Sequence, residues 1–327
     1  MSVIEDTSGA RPGMSQRGVP DRPSSVRQSS EARLLQEYQQ ARGRLVGIAH
    51  GILGDLGEAE DVVQEAWLRL RRSTDPIGSV TGWLVVTTSR LALDAVGSAR
   101  RRRENYVGPW LPEPIVTFDH VGAPAPVDPA DRVTLAESVS TAVLVVLETL
   151  TPAERTAFVL HDVFGLPFGE VAEIVGRTPA AVRQLAARAR KHVREGAPRA
   201  DTDPRRHRAV VDAFTTALEN GDVEGLLRLL DPDVVLHSDG GGRVRAARNP
   251  VHGADRVARF LAGIQRKRSY RLWPARINAG PGVVLDRDGR PVAAVSLTVV
   301  DGRVARVDMV INPDKLARTG APWKENP

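Results

Sequence analysis

The chain has 327 residues, 42% hydrophobic and 26% charged, which fits two or three folded domains with buried cores. A formal charge of +5 favours polyanionic partners, and the absence of cysteine excludes disulfides and thiolate metal sites. No run of about 18 apolar residues is available to span a bilayer, and the N-terminal thirty residues lack the apolar core of a signal peptide, so no membrane insertion and a cytoplasmic location are expected.

Residues 1–29, rich in Ser, Pro, Gly and Arg, are expected to form a disordered tail. Ser30 is a candidate N-cap for a helix whose Leu34, Tyr38, Leu45, Ile48 and Ile52 recur at helical spacing and which Gly54-Asp55 ends. A second helix points Val62, Val63, Ala66, Trp67 and Leu70 inward; a third, from Val80, does the same with Trp83, Leu84, Leu91, Leu93 and Val96. These three make a helical domain over 30–104. Residues 105–131 are proline-rich and read as an extended linker, unusual in carrying Trp110 and Leu111 within "YVGPWLPEP". Helices resume over 132–197 and end in a helix, a tight turn near Gly176 and a second helix capped by Thr178 with Pro179 in its first turn. After a short second linker, residues 205–320 read as an α+β domain. Amphipathic helices come first, and the strands "RPVAAVSLTVV" and "RVARVDMVIN" follow, joined by the hairpin signal Asp301-Gly302.

In the second helix of the helix-turn-helix, Val182, Leu185, Ala186, Ala189 and Val193 form the inward stripe. Arg183, Gln184, Ala187, Arg188 and Lys191 then occupy the open face, where Arg and Gln match base edges in the major groove. Arg177 and Thr178 stand at the entrance to that helix. Between Arg177 and Arg199 seven basic residues face one acid, Glu195, which suits phosphate contact. The third helix of the first domain ends in four arginines, Arg100 to Arg103, and carries Thr87, Thr88, Ser89 and Arg90, expected on a polar face that tracks a nucleic-acid backbone. The stretch Asp55 to Glu65 has five acids and no base, so it should meet a protein instead.

Taken in order, "AEDVVQEAWLRL", "GSVTGWLVVTTSRLALDAV" with its arginine run, and "LTPAERTAFVLHDVFGLPFGEVAEIVGRTPAAVRQLAARARKHV" resemble bacterial sigma factors of the sigma-70 type, in the small extracytoplasmic-function group. The resemblance covers about residues 30 to 195. It implies that Asp61, Gln64 and Glu65 contact the coiled coil of the largest catalytic subunit of core RNA polymerase. It also implies that the loop from Ser73 to Gly82 and the helix after it open the minus 10 element of promoter DNA, with Ser79, Thr81, Arg90, Arg100 and Arg101 as the contacts. The helix-turn-helix, through Arg177, Thr178, Arg183, Gln184, Arg188 and Lys191, would read the minus 35 element. Arg90 stands where many relatives have Asn, so their minus 10 preference does not carry over.

The C-terminal part resembles the SnoaL-like fold, a cone-shaped α+β barrel, and three further motifs match a sigma subgroup with such an extension: "WLPEP" (Trp110, Leu111, Pro112 onward), "DGGG" (Asp239, Gly240, Gly241, Gly242) and "NPDKL" (Asn312, Pro313 onward). Three glycines after a strand permit positive φ and close backbone approach, so the linker around Trp110 is expected to dock there and the extension to regulate in cis. No cofactor, metal site or catalytic residue is expected. Two other readings stay open. One is a one-component, ligand-responsive helix-turn-helix regulator, which leaves the acidic helix unexplained. The other places isomerase or cyclase chemistry at His237, Asp239 and Asp308, with a small apolar ligand in the cone; fold likeness alone does not supply function.

Overall fold

The computed structural model describes residues 23–73, 76–104, 106–118, 139–197, 203–268, 270–278 and 280–319. The tail up to residue 22 and the linker stretch 119–138 therefore lie outside the described residues.

Three helices open the chain: α1 (Pro23–Leu53), α2 (Leu56–Arg72) and α3 (Val80–Glu104). α1 starts at Pro23 and not at Ser30, because proline at the first position is already set at a helical φ and no breaker separates it from the amphipathic stretch. Gly54, at φ +76°, ends α1, and Asp55 caps α2 by accepting from Glu58 N at 2.9 Å. The apolar spacing read from the sequence becomes a core of Leu45, Ile48, Ile52, Val63, Ala66, Leu70, Leu84 and Val96, all buried. Thr88 and Ser89 are also fully buried, which corrects their expected place on an open polar face: they share the inward stripe of α3 with Leu84, Val85 and Ala92.

A second helical unit follows, with α4 (Thr141–Leu147), α5 (Pro152–Ala157) continued by a π-helical turn (Phe158–Val163), α6 (Phe168–Val175) and α7 (Pro179–Gly196). Thr151 and Glu154 form a reciprocal capping box at α5. This unit is not separate from the first, since its Leu144, Ala157, Leu160, Val171 and Val182 belong to the same continuous core as α1–α3.

The third unit places α8 (Pro204–Glu219), α9 (Val223–Leu229) and α10 (Ala254–Arg268) against one face of a curved sheet. The sheet runs β1 (Val116–Thr117), β4 (Arg271–Ile277), β5 (Gly280–Arg287), β6 (Arg290–Val300), β7 (Arg303–Val310), β2 (Leu230–Asp239), β3 (Val251–His252) in spatial order. Among the described residues only the β2–β7 pairing is parallel. Asp288-Gly289 and Asp301-Gly302 turn the β5–β6 and β6–β7 hairpins, with positive φ at each of the four residues, as two-residue turns of this hand require. The helix face holds the larger core around Phe214, Leu226, Leu236, Val283 and Val307. The opposite face carries a small apolar cluster: Ile277, Ala294 and Val310 of the sheet, Leu111 and Val116 of the linker, Val145 of α4, and Leu316 of α11 (Pro313–Leu316). The linker is thus an edge strand of the C-terminal sheet as well as a tether.

Candidate nucleic-acid interface and linker node

α6 stops at Gly176, whose φ of +66° supplies the left-handed cap, and Thr178 starts α7 by accepting from Ala181 N at 3.2 Å. Burying Val182, Ala186 and Ala189 rotates the opposite side of α7 outward, so Arg177, Thr178, Arg183, Gln184, Arg188 and Lys191 are all exposed. Leu185 and Val193 are half-buried at the margin of that stripe. Arg183 lies over the Phe168 ring at 5.8 Å, and among the described residues Lys191 has the distant Glu195, at 3.9 Å, as its ionic neighbour. This surface is a ready set of unspent donors.

α3 presents a different picture. Ser79 receives Gly82 N at 3.1 Å, starting the helix, and Ser79 and Thr81 are exposed beside a cleft of about 460 Å³ bordered by Leu34, Leu70, Ile77 and Gly78. Arg90, by contrast, reaches across to the second helical unit and donates to Glu173 O at 3.0 Å. Arg100 and Arg101 lie in the last turns of α3, with side chains outside the described residues. On α2, Asp61 and Gln64 are exposed, while Glu65 is half-buried and pairs with Arg69 at 2.8 Å.

The residues singled out in the linker and the C-terminal domain meet around one buried carboxylate. Asp239 is fully buried at the end of β2. Its Oδ1 accepts from Tyr106 Oη (2.6 Å) and Gly241 N (3.0 Å), and its Oδ2 from Leu111 N (2.9 Å) and Lys315 Nζ (2.8 Å). Lys315 also donates to Leu111 O and lies over the rings of Trp110 (4.2 Å) and Tyr106 (5.0 Å). Asn312 caps α11, accepting from Asp314 N at 3.1 Å, and donates to Tyr106 Oη at 2.9 Å; Pro313 fills the first position of that helix. A Cβ on Gly241 would collide with the Asn312 amide and stand 2.9 Å from Tyr106 Oη, and one on Gly242 would touch Val107 at 3.3 Å. Glycine is required here because the linker occupies the space a side chain would fill. Burial, then the adjacent Asp239 carboxylate, pushes the Tyr106 phenol well above its ordinary range, so it remains a donor.

The same linker grips the first helical unit. Leu111, Pro112, Glu113 and Pro114 are buried; Glu113 N donates to Gly54 O (3.2 Å), and the Glu113 carboxylate accepts from Leu56 N (2.9 Å) at the start of α2. Burial raises the Glu113 pKa, against the lowering effects of Leu56 N and of Arg318 at 3.3 Å. Arg155, buried on α5, donates to Gly51 O at 3.0 Å and pairs with Glu148, so the second helical unit holds the end of α1. Thr141 at the start of α4 bonds Ser296 (2.8 Å) and Asn278 (2.9 Å) on the sheet. Three units therefore close on residues 106–117.

Comparison with known proteins now gives this arrangement its context. Residues 38–102 match the family described as Sigma-70 region 2, residues 140–193 the family Sigma-70, region 4, and residues 211–307 the SnoaL-like domain. The chain is 41% identical over 308 residues to the ECF RNA polymerase sigma factor SigJ of Mycobacterium tuberculosis, covering 89% of this chain and 95% of that protein. The chain belongs to the extracytoplasmic-function sigma factors. A second relative, the probable ECF RNA polymerase sigma factor SigI of the same species, is 40% identical over 280 residues, 84% of this chain and 92% of that one. The crystal structure of M. tuberculosis SigJ superposes with a TM-score of 0.68 at 37% identity, covering 86% of this chain and 98% of that chain.

In this sigma factor the first helical unit is region 2, the second region 4, and the C-terminal α+β domain is SnoaL-like. Several residues at the junction escaped the sequence reading: Tyr106, Glu113, Arg155, Asn278, Lys315 and Arg318. Glu113 and Lys315 stand inside the "WLPEP" and "NPDKL" motifs and could have been found as charges embedded among apolar and proline positions. The residues considered for catalysis are committed elsewhere. Arg306 holds Asp308 through two bonds of 2.7 and 2.8 Å, and His237 Nδ1 stands 3.3 Å from Asp308 without an aligned hydrogen bond. Burial alone would raise the Asp308 pKa; His237 and Arg306 outweigh it and hold the carboxyl below the ordinary range. Asp239 uses both of its oxygens to accept four hydrogen bonds. Among the described residues no cluster of three or more His, Asp or Glu could hold a metal ion, and no helix is long and apolar enough to cross a membrane.

Proposed function

We propose that this sigma factor binds core RNA polymerase through Asp61, Gln64 and Glu65 on α2 and directs it to promoters. Region 2 would open the minus 10 element through Ser79, Thr81, Arg90, Arg100 and Arg101, and α7 would read the minus 35 element through Arg177, Thr178, Arg183, Gln184, Arg188 and Lys191. The SnoaL-like domain acts in cis, without chemistry of its own, by holding regions 2 and 4 against one another.

The observation that carries the regulatory part is the sharing of Asp239 by Tyr106, Leu111 and Lys315, which joins the C-terminal domain to the linker where that linker crosses from region 2 towards region 4. Arg90 supports the same reading, since a minus 10 contact spent on the Glu173 carbonyl must be released before it can meet DNA. The test is run-off transcription with purified core polymerase on a promoter selected from a random library, comparing the full chain with one ending after Pro204. Promoter-specific transcripts and a changed yield on truncation support the reading. No core binding and no transcript from either form would favour the one-component regulator, for which the exposed α7 face is the only feature accounted for.

A further inference from the structure

The turn from Gly240 to Pro250 carries Arg243, Arg245 and Arg248 and no acidic residue. It is an ordered platform. Arg243 N and Val244 N both donate to Gly240 O (3.0 and 3.2 Å), and a Cβ on Gly240 would stand 2.6 Å from Val244 O and 2.8 Å from Ala246 Cβ, so the turn folds back on its own base. One end leaves the buried Asp239 and the other enters β3, paired with β2. All three arginines are exposed. Arg243 makes a solvent-exposed pair with Asp314 at 3.1 Å, and among the described residues no carboxylate pairs with Arg245 or Arg248.

The position of this platform is fixed relative to α3. Val107 packs against Gly242, and Tyr106 bonds Asp239, immediately beyond the end of α3 at Glu104. Three residue steps separate Glu104 from Val107, a path of at most about 11 Å. The base of the turn therefore lies close to the C-terminal end of α3, and the bonds that keep it there come from region 2's own linker, whatever position region 4 adopts.

We propose that this turn is a DNA-backbone contact supplied by the SnoaL-like domain. Arg245 and Arg248, with Arg243, engage phosphates of the promoter duplex next to the segment held by α3. The guanidinium fork fits phosphate oxygens in a bidentate manner, so these arginine contacts add affinity and position without sequence preference. The proposal rests on the promoter-binding reading above. It gives the extension a direct part in the promoter complex in addition to its hold on the two sigma regions.

The experiment uses holoenzyme assembled from the full chain and core polymerase, with equilibrium promoter binding measured across a salt series. The double variant Arg245→Ala/Arg248→Ala is compared with the unaltered chain and with Arg228→Ala, an exposed arginine just before the opposite end of β2. Loss of two phosphate contacts should lower the slope of log affinity against log salt by about two and weaken binding on the order of tenfold at moderate salt. Core affinity, thermal midpoint and ranking of promoter sequences should stay unchanged, and Arg228→Ala should match the unaltered chain. An identical salt slope and affinity in the double variant would overturn the proposal. So would weakened assembly with core at an unchanged DNA slope, which would make the turn a polymerase surface. If the unaltered chain gives no promoter complex, the promoter-binding reading falls and this one with it.

Discussion

Asp239 accepts four hydrogen bonds in a site with no solvent exposure, and among the described residues the charge that balances it is Lys315. Removing one partner of such a pair leaves the other buried and uncompensated, so Lys315→Met should destabilise the full chain by about 3–5 kcal/mol in urea unfolding. Adding Asp239→Asn to that variant should recover part of the loss, and a double-mutant cycle measures the coupling. A Lys315→Met cost below about 1 kcal/mol would mean that the pair does not hold the linker. Glu113 makes a second residue-level prediction. Its folded pKa is raised, mainly by burial, so the folded state binds the proton more tightly than the unfolded chain. The stability it contributes is full below the ordinary Glu value of about 4.3 and is lost as pH rises through its higher folded value. Glu113→Gln keeps an acceptor for Leu56 N and should flatten stability against pH over that window; an unaltered profile would place the titration elsewhere.

Among the elements, the β2 turn and α7 show how local chemistry serves the assembly. Gly241 sits at φ +59° with the Asn312 amide and Tyr106 Oη where its Cβ would be, so Gly241→Val should dislodge the linker strand. Changed promoter output with unaltered core binding is the expected result; unchanged output would mean that the turn tolerates a detached linker. On α7, Arg188→Ala should weaken promoter binding by about 1–3 kcal/mol and relax sequence preference, whereas Lys191→Ala should weaken binding evenly across sequences. If both behave alike, α7 does not lie in the groove with Arg188 towards the bases. These elements were legible beforehand because α1–α3, α6–α7 and the Asp301-Gly302 hairpin announce themselves through 3.6-residue periodicity, caps and turn residues. β1 was not, since two residues of a proline-rich stretch become a strand only when β4 offers an edge. Nor was the burial of Thr88 and Ser89, hydroxyl residues that sequence pattern places outside.

At the scale of the whole molecule, regions 2 and 4 share one core, and the linker and SnoaL-like domain close over their junction through Arg155, Glu113 and the Asp239 node. The sequence motifs identified the domains and suggested that the linker around Trp110 docks near Asp239, but not that Tyr106 and Lys315 would meet there. They could not show that Arg90 would bond Glu173, because that contact joins surfaces 83 residues apart whose meeting depends on the docking of two units. The central claim is that this closed form is held by the node and yields when the node is broken. The absence of cysteine allows two introduced cysteines, at the exposed Arg72 of α2 and His192 of α7, to be spin-labelled without competitors. The most direct measurement is the distance distribution between those labels, by pulsed electron resonance, in the full chain and in its Lys315→Met form. A single narrow distribution that broadens and lengthens in Lys315→Met, and in the unaltered chain on adding core polymerase, is the expected result. A distribution that is already broad in the free chain, or that Lys315→Met leaves unchanged, would contradict the claim.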